Sequence, residues 1–498
     1  MGSRFHMYFS ALISSFVLTI LGSPSHALDR LVLRMPSLGS SININLGDSH
    51  SVEELINGSP DLVELRRVSK SGLPSLLKTL FLAPLPLQTK DFLQAATKQP
   101  LLEQALAAAT YFVDLKGVKP DTSGRMLTDA MTRAERNGQP NVLGFLRELP
   151  GEEASIDVSR VFDAANRLRT NLKEGISLVA AGQPASVNPG LKKPLSGGWT
   201  REVLQLSVPH RAKPMRLISL VPAESNGLLV VITHGLWDEP ESFEGWGEVL
   251  TEHGYTVLLP EHSGSSYRQQ QLMLAGDRPP PGPEELRLRP LDVSALLNAV
   301  EQKRLLASRS LDITSVGVVG HSWGATTTLQ LAGAVPTDRK LSTRCSDLKN
   351  LERNISWVLQ CSWLSVIQQA GIADPRVKAV VAVSPPLRLL FDPSSSRRLN
   401  AKVLLVSGSR DWVVPSGPEA IRPMRETGAA ELGHRLVMVE GADHFNLSST
   451  RGEPQPALLG PLLLTWMNEQ LNFRGSAFFS EAGWGDDRVR MVDVSEHL

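Results

Sequence analysis

Three residues in the C-terminal half of the chain have the types that a nucleophilic serine mechanism needs. Ser322 is the centre of Gly320–Gly324, a G-x-S-x-G pentapeptide that follows the apolar run 313–319. A serine hydroxyl is a weak nucleophile at neutral pH, so it needs a base within hydrogen-bond distance and an acid that orients this base. Asp411 and His444 follow in the order acid, then base. Their order predicts a Ser-His-Asp triad.

Other residues could fill two of these roles. The competing acids are Asp392, Glu419, Glu440 and Asp443, and the competing base is His434. Asp443 is adjacent to His444 and should point away from it on a tight turn. His434 precedes a predicted strand, whereas Asp411 and His444 each follow one. We therefore assign Asp411 as the acid and His444 as the base.

A tetrahedral intermediate also needs two donors for its oxyanion. The backbone amide of Trp323, directly after the serine, is one candidate, and the amide of Leu236 in the loop after a buried strand is the other. His234 and His321 flank these backbone turns. We predict structural roles for both histidines.

The elements around these residues alternate between apolar strands and helices. Strands are predicted at 203–208, 215–221, 228–233, 256–259, 313–319, 377–383, 403–407 and 436–439, and helices at 290–307, 325–333 and 457–471. Continuous apolar strands interleaved with helices predict an α/β domain whose mostly parallel sheet is covered by helices on both faces. The strand before Ser322 and the helix after it are the context that a nucleophile elbow requires.

Two insertions interrupt this alternation, near 261–289 and 336–375. Apolar residues in the second, among them Trp357 and Trp363, favour a lid or an acyl-binding wall. A helical hairpin that packs on the body without touching substrate remains the alternative. Together with Trp237, these two tryptophans are the predicted substrate-binding residues.

The N-terminal part, 28–181, is predicted to be a mainly helical domain. Ser51 and Glu54 form a capping box, and apolar residues recur at helical spacing in two further stretches. The stretches are Met126, Leu127, Ala130, Met131 and Ala134, and then Val158, Val161, Phe162, Ala165 and Leu168. A linker at 182–200 precedes the catalytic domain at 201–475, and the tail 476–498 has no motif that we can interpret.

Composition and the termini narrow the possible functions. The 51 basic and 51 acidic residues balance, which argues against nucleic-acid binding, and the histidines and cysteines lack metal-ligand spacing. Residues 1–27 are typical of a secretory signal peptide, with an uncleaved anchor as the alternative. Export would place the protein in the periplasm or outside the cell. Cys345 and Cys361 are either a disulfide or two free thiols.

Residues 201–471 resemble an α/β-hydrolase, and are similar to the platelet-activating-factor acetylhydrolase and dienelactone-hydrolase-like group. The matching residues are His234, Gly235, Leu236, the pentapeptide Gly320–Gly324, Asp411 and His444. The serine at 322 departs from the cysteine nucleophile of dienelactone hydrolases. The N-terminal half resembles a helical domain of unknown function that precedes exported α/β-hydrolases in cyanobacteria.

The resemblance implies a serine carboxylic-ester hydrolase that degrades short-acyl or lipid-like esters without a metal or cofactor. Transient contact with a membrane surface would accompany a lipid substrate. A serine peptidase or an acyltransferase on the same triad is one alternative. A non-catalytic binding protein with a hydrolase scaffold is another.

Overall fold

The computed structural model describes residues 28–36, 39–46, 51–68, 78–79, 81–84, 99–109, 111–118, 125–192, 197–397, 399–471 and 483–498. The predicted signal peptide therefore lies outside the described residues. Contacts divide the chain into two compact units, Met1–Asn166 with Gln270–Gly282, and Arg167–Gln269 with Pro283–Leu498. No helix in the described ranges combines the length and apolar character needed to cross a bilayer.

The first unit contains a four-stranded sheet as well as helices. Its strands are β1 (Arg30–Met35), β2 (Ser40–Asn45), β3 (Val113–Leu115) and β4 (Glu153–Asp157), in the order β2-β1-β4-β3. Its helices are α1 (Val52–Gly58), α2 (Pro60–Val68), α3 (Pro100–Ala109), α4 (Arg125–Arg136) and α5 (Val142–Arg147). The N-terminal region thus has mixed content, whereas the sequence predicts a mainly helical domain.

Local sequence signals account for several of these helices. The Ser51 hydroxyl accepts a hydrogen bond from the Glu54 amide at 3.1 Å, which is the predicted cap of α1. In α4, Met126, Ala130 and Ala134 are buried, as their spacing predicts. Met126 and Ala130 belong to a core that also includes Ile44 of β2.

The prediction that the apolar residues at 158–168 form a buried helix face is wrong. Helix α6 (Val158–Ala181) is present, but Val161 and Phe162 are 43% and 63% exposed. The buried side of α6 lies further along, at Asn171, Gly175 and Val179. Gly175 is what permits this packing, because a Cβ there would lie 2.2 Å from the Ser416 hydroxyl oxygen.

The second unit is built on a nine-stranded sheet. Its strands are β5 (Trp199–Leu206), β6 (Met215–Pro222), β7 (Leu229–Thr233), β8 (Thr256–Pro260), β9 (Val316–His321), β10 (Val377–Val383), β11 (Lys402–Gly408), β12 (Arg435–Val439) and β13 (Met491–Asp493). Their order is β13-β12-β11-β10-β9-β7-β8-β6-β5, and β7 to β12 pair in parallel. The predicted mostly parallel sheet is therefore confirmed.

Helices separate these strands along the chain, three of them in the predicted helical stretches and others inside the two predicted insertions. They are α7 (Glu244–Glu252), α8 (Tyr267–Leu274), α9 (Glu285–Glu301), α10 (Trp323–Leu331), α11 (Arg339–Arg344), α12 (Ser356–Ser362), α13 (Pro393–Ser396), α14 (Arg422–Thr427) and α15 (Gly460–Leu471). Helices α7 and α15 pack on each other and on the sheet, while α10 packs on β9 and β10 and also contacts α9. The strands that carry the candidate site, such as β9 and β12, are buried and positioned by this layering.

The C-terminal tail supplies a sheet edge that the sequence does not reveal. Strand β13 pairs antiparallel with β12. Three residues are too few to display the alternation that identifies a strand.

The second insertion is covalently closed. Cys345 and Cys361 form a disulfide, one of the two arrangements that the sequence leaves open. The bond joins the end of α11 to α12.

Candidate active site

Ser322 lies at a sharp turn between β9 and α10, at the carboxyl end of a central strand. Its backbone has φ 53° and ψ −120°, a conformation that side-chain-bearing residues rarely adopt. Gly320 and Gly324 make the turn possible. A Cβ on Gly320 would lie 2.4 Å from the Gly324 backbone, and one on Gly324 would lie 2.1 Å from the Thr233 oxygen. The serine is thereby held at the turn of a nucleophile elbow.

The side chains of Ser322, His444 and Asp411 form a continuous hydrogen-bonded chain. His444 Nε2 is 3.0 Å from Ser322 Oγ, and His444 Nδ1 is 2.9 Å from Asp411 Oδ2. Ser322 follows β9, Asp411 follows β11 and His444 follows β12. The carboxyl ends of these strands lie on the same edge of the parallel sheet. This geometry suits a serine whose proton passes to an imidazole held by a carboxylate.

Asp411 is held in an orientation that leaves one oxygen for the imidazole. Its Oδ1 accepts hydrogen bonds from the amides of Val413 and Val414 at 3.0 and 2.8 Å. Burial opposes ionisation of the carboxyl group, but the charge and hydrogen bond of His444 and the Val414 amide outweigh it, so the pKa of Asp411 is lowered. The acid is therefore ionised at neutral pH.

The His444 ring hydrogen-bonds to Asp411 and Ser322, and the competing acids have other surroundings. Asp392 accepts a hydrogen bond from the Thr337 hydroxyl, and Glu440 is exposed. Asp443 accepts from the amides of Phe445 and Asn446, so it caps the turn that carries His444. Glu419, the fourth, bonds to α12 and to the chain after β10.

His434 lies beside β11 and not at the site. Its Nδ1 accepts from the Val403 amide at 3.1 Å, and burial lowers its pKa to about 4. A neutral, hydrogen-bonded ring at this position is structural.

The loop with the first candidate oxyanion donor lies directly against the elbow. A Cβ on Gly235 would be 3.3 Å from Ser322 Cβ, so the chain before Leu236 runs past the serine. The Leu236 amide makes no hydrogen bond to another residue in the described ranges. Trp323 begins α10, and the amides of a first helical turn have no intrahelical acceptor. Both amides are therefore available as donors.

His321 contacts His444, the candidate base. Its Nε2 donates to the His444 carbonyl oxygen at 3.0 Å, and the two rings lie 4.8 Å apart. Burial and the charge of His444 lower the pKa of His321 to about 3. The ring is neutral at pH 7, in agreement with the predicted structural role.

A buried polar cluster lies beneath the Leu236 loop, and of its members only His234 is singled out by the sequence. It comprises Thr233, His234, His262, Arg289 and Asp292, all essentially inaccessible to solvent. His262 Nδ1 donates to Asp292 at 2.8 Å, and His262 Nε2 is 2.7 Å from the Thr233 hydroxyl. Burial lowers the pKa of His262 to about 4. An Arg and an Asp three residues apart, where the first insertion meets a predicted helix, were the available signal, but that spacing is typical of exposed helix faces.

The three predicted substrate-binding tryptophans occupy different environments. Trp237 is partly exposed and donates from Nε1 to Gln269 at 3.0 Å. Trp357 and Trp363 are fully buried, with Trp357 Nε1 donating to Glu419 at 3.2 Å and Trp363 4.9 Å from the Trp323 ring. A substrate could reach either of them only after neighbouring side chains move.

An exposed aromatic side chain lies next to His444. Phe445 is 52% exposed, and its ring lies 5.4 Å from the His444 ring and 6.1 Å from the Trp412 ring. The sequence motifs give no weight to Phe445, although its place next to His444 is a usable signal. Its exposed ring is an apolar surface next to His444.

Within the described ranges, no group of three or more His, Cys, Asp or Glu side chains is arranged to hold a metal ion.

Residues 230–455 match the alpha/beta hydrolase family, and this part of the chain has the α/β-hydrolase fold that the sequence predicts. The matched segment includes Leu236, Ser322, Asp411 and His444. The match supports a hydrolase. No curated protein gives a significant match to the chain.

Proposed function

We propose that this protein is a serine carboxylic-ester hydrolase. The observation that carries the proposal is the hydrogen-bonded chain from Ser322 Oγ through His444 to Asp411, with distances of 3.0 and 2.9 Å. A hydroxyl so placed can lose its proton to the imidazole as it attacks a carbonyl carbon.

In the proposed reaction, Ser322 attacks the ester carbonyl and His444 accepts the serine proton. Asp411 stabilises the imidazolium, and the amides of Leu236 and Trp323 bind the oxyanion. His444 then gives the proton to the leaving alcohol. Water repeats these steps on the acyl-enzyme, releasing the acid and restoring the serine.

We propose short-acyl or lipid-like esters as substrates. The exposed ring of Phe445 beside His444 supports an apolar acyl or leaving group. This substrate class agrees with the resemblance to the acetylhydrolase and dienelactone-hydrolase-like group, and lipid substrates would bring transient contact with membrane surfaces. Trp237, Trp357 and Trp363 remain candidate binding residues.

We further propose that the protein is exported by its N-terminal segment to the periplasm or the cell exterior. The Cys345–Cys361 disulfide supports this, because such bonds persist in oxidising compartments.

The direct test is the Ser322→Ala variant assayed with p-nitrophenyl esters of increasing chain length. We expect turnover to fall to at most the residual acceleration of about 10³–10⁴ over water that binding and an oxyanion site supply. Ser310→Ala, a change at an exposed serine before β9, is the matched control and should keep wild-type activity. Wild-type turnover by Ser322→Ala would refute the mechanism.

Comparing water, alcohols and peptides in the same assay separates the alternatives. Faster transfer to alcohols than to water would identify an acyltransferase, and cleavage of peptides would identify a peptidase. Absence of labelling by a fluorophosphonate probe would favour a non-catalytic binding protein.

A further inference from the structure

Arg289 is a buried cation whose contacts converge on the loop before Leu236. Its guanidinium is fully buried, and Nη2 donates to the His234 carbonyl oxygen. Its Nη1 lies 3.2 Å from the Ser265 hydroxyl and 3.5 Å from the Gly235 carbonyl oxygen. The guanidinium carbon is also 5.0 Å from the centre of the Trp323 ring. One side chain thus contacts both segments that carry the candidate oxyanion donors.

The side chain of His234 also contacts the Gly235 carbonyl oxygen. Its Nε2 accepts from the His262 amide at 2.9 Å, so Nδ1 carries the proton. That Nδ1 donates to the Gly235 oxygen at 2.8 Å. Burial keeps the pKa of His234 well below its ordinary value, and the ring stays in this neutral form.

The Gly235 oxygen and the Leu236 amide belong to one peptide unit. A trans peptide is planar, so its C=O and N–H point in opposite directions. Fixing the oxygen therefore fixes the direction of the N–H. Donors on the oxygen also polarise the peptide and make the N–H a stronger donor.

The charge of Arg289 is not cancelled by a direct partner. Glu285 and Asp292 form their ion pairs with Arg211, and among the described residues Arg289 has no ion-pair partner and its Nε no hydrogen-bond partner. Burial lowers the pKa of Arg289, which the charges of Glu285 and Asp292 oppose. A buried cation without an ion-pair partner is costly, which favours a role at a site where negative charge develops.

We propose that Arg289 and His234 are positioning residues that orient and polarise the Gly235–Leu236 peptide so that its N–H binds the oxyanion. Neither side chain touches the substrate. The inference rests on the proposed serine esterase function. It explains how the Leu236 N–H, one of the two proposed oxyanion donors, is oriented.

The test compares Arg289→Lys with the wild type on a matched ester and thionoester, in which sulfur replaces the carbonyl oxygen. Sulfur accepts hydrogen bonds weakly, so an oriented donor favours the ester. We expect kcat/KM for the ester to fall about 10²-fold, with KM little changed. The thionoester should lose about tenfold less, since it gains less from the donor.

Arg376→Lys is the matched control. Arg376 pairs with Asp374 at 2.7 Å and precedes β10, at the sheet edge opposite the site. Its kinetics should stay at the wild-type level. Equal losses on ester and thionoester in Arg289→Lys would overturn the proposal, because a general loosening of the fold affects both substrates alike.

A second pair of variants decides the matter if Arg289→Lys does not fold, as judged by circular dichroism. His234→Asn keeps a donor near the Nδ1 position, whereas His234→Gln keeps only a polar group near Nε2. We expect the Gln variant to lose the ester preference and the Asn variant to retain most of it. The same ester preference in both variants would overturn the proposal. If Ser322→Ala were active, the proposed function itself would fail, independently of these ratios.

Discussion

At the scale of single residues, the geometry of the site depends on glycines, which have no side chain. The turn at Ser322 brings the Gly320 Cα close to the backbone of Gly324 and Ala325. The contact is with backbone atoms, which cannot rotate away as a flexible side chain could. The strained conformation of Ser322 is therefore held by its glycine neighbours.

Gly320→Ala should damage both stability and activity. The new methyl would lie 2.4 Å from the Gly324 carbonyl carbon, so β9 and α10 would have to separate. We expect a loss of about 2–4 kcal/mol in the free energy of unfolding, together with a large fall in kcat. Chemical denaturation and ester kinetics measure the two effects.

Gly371→Ala is the control for this prediction. A Cβ at Gly371 meets only a Val335 methyl at 3.5 Å, an ordinary contact. Its stability should stay within about 0.5 kcal/mol of the wild type. Equal effects of the two substitutions would contradict the steric account of the elbow.

At the scale of elements, the second insertion is anchored to the body of its unit. The buried Glu419 carboxylate accepts hydrogen bonds from α12 and the residues before it, and from the chain after β10. The donors are Asn354 Nδ2, Ser356 Oγ, Trp357 Nε1, Gln360 Nε2 and the amides of Leu387 and Arg388. Such a fully used carboxylate favours a fixed wall over a mobile lid.

The disulfide and Glu419 should therefore contribute to different properties. Cys345→Ser combined with Cys361→Ser removes a cross-link between residues 16 apart, which we expect to cost about 3 kcal/mol in the chain-entropy model. Glu419 still anchors α12, so kcat/KM on short esters should stay within about twofold of wild type. Denaturation followed by fluorescence, and ester kinetics, test both parts.

Reduced wild-type protein is the control, and it should behave like the double variant. A changed chain-length profile in either sample would contradict this prediction, because the disulfide would then be needed to hold the insertion in a conformation that affects substrate choice.

Helix α9 shows how a sequence irregularity is accommodated by its surroundings. Pro290 lies inside the helix and has no N–H for the Leu286 carbonyl. Gln330 of α10 donates to that carbonyl at 2.9 Å. The helix can therefore start at Glu285 rather than at the proline, which places Arg289 in its early turns.

At the scale of the molecule, buried neutral histidines link stability to pH. The pKa of His321 is lowered to about 3 and that of His262 to about 4, and burial is the largest cause for both. Below pH 6.5 these histidines take up protons in the unfolded chain but stay neutral in the folded protein. Acid therefore favours unfolding. An ion pair acts at lower pH: burial opposes ionisation of Glu352, but the hydrogen bond and charge of Arg388 outweigh burial and lower the pKa of Glu352 to about 2.

We expect the free energy of unfolding of the second unit to fall as pH drops from 6.5 to 5. Each buried histidine should contribute about 1–2 kcal/mol over this range. All nine tryptophans lie at Trp199 or later, so tryptophan fluorescence follows the second unit without a signal from 1–166. Urea titrations at several pH values give the slope.

His321→Gln provides the control for this pH dependence. The glutamine amide can still donate a hydrogen bond from near the Nε2 position, but it does not titrate. The variant should have a shallower dependence on pH between 6.5 and 4. An unchanged slope would assign the acid sensitivity to other groups.

The sequence by itself determined the features that depend on neighbours along the chain. The strand, the pentapeptide around Ser322 and the following helix are contiguous, so their pattern predicts the elbow and the α/β-hydrolase fold. The order of Asp411 and His444 predicts them as the acid and the base because each follows a buried strand, and parallel strands end at one edge. The Ser51 cap was equally local.

Only the tertiary structure decided what depends on residues distant in the chain. Thr233, His262 and Arg289 meet beneath the Leu236 loop because three separate elements converge there, and no sequence period records that convergence. Burial of Trp357 and exposure of Phe162 were likewise set by what packs against each helix, since helical spacing identifies an apolar face but not its partner. The edge strand β13 formed because β12 offered unpaired backbone groups, a property of the assembled sheet.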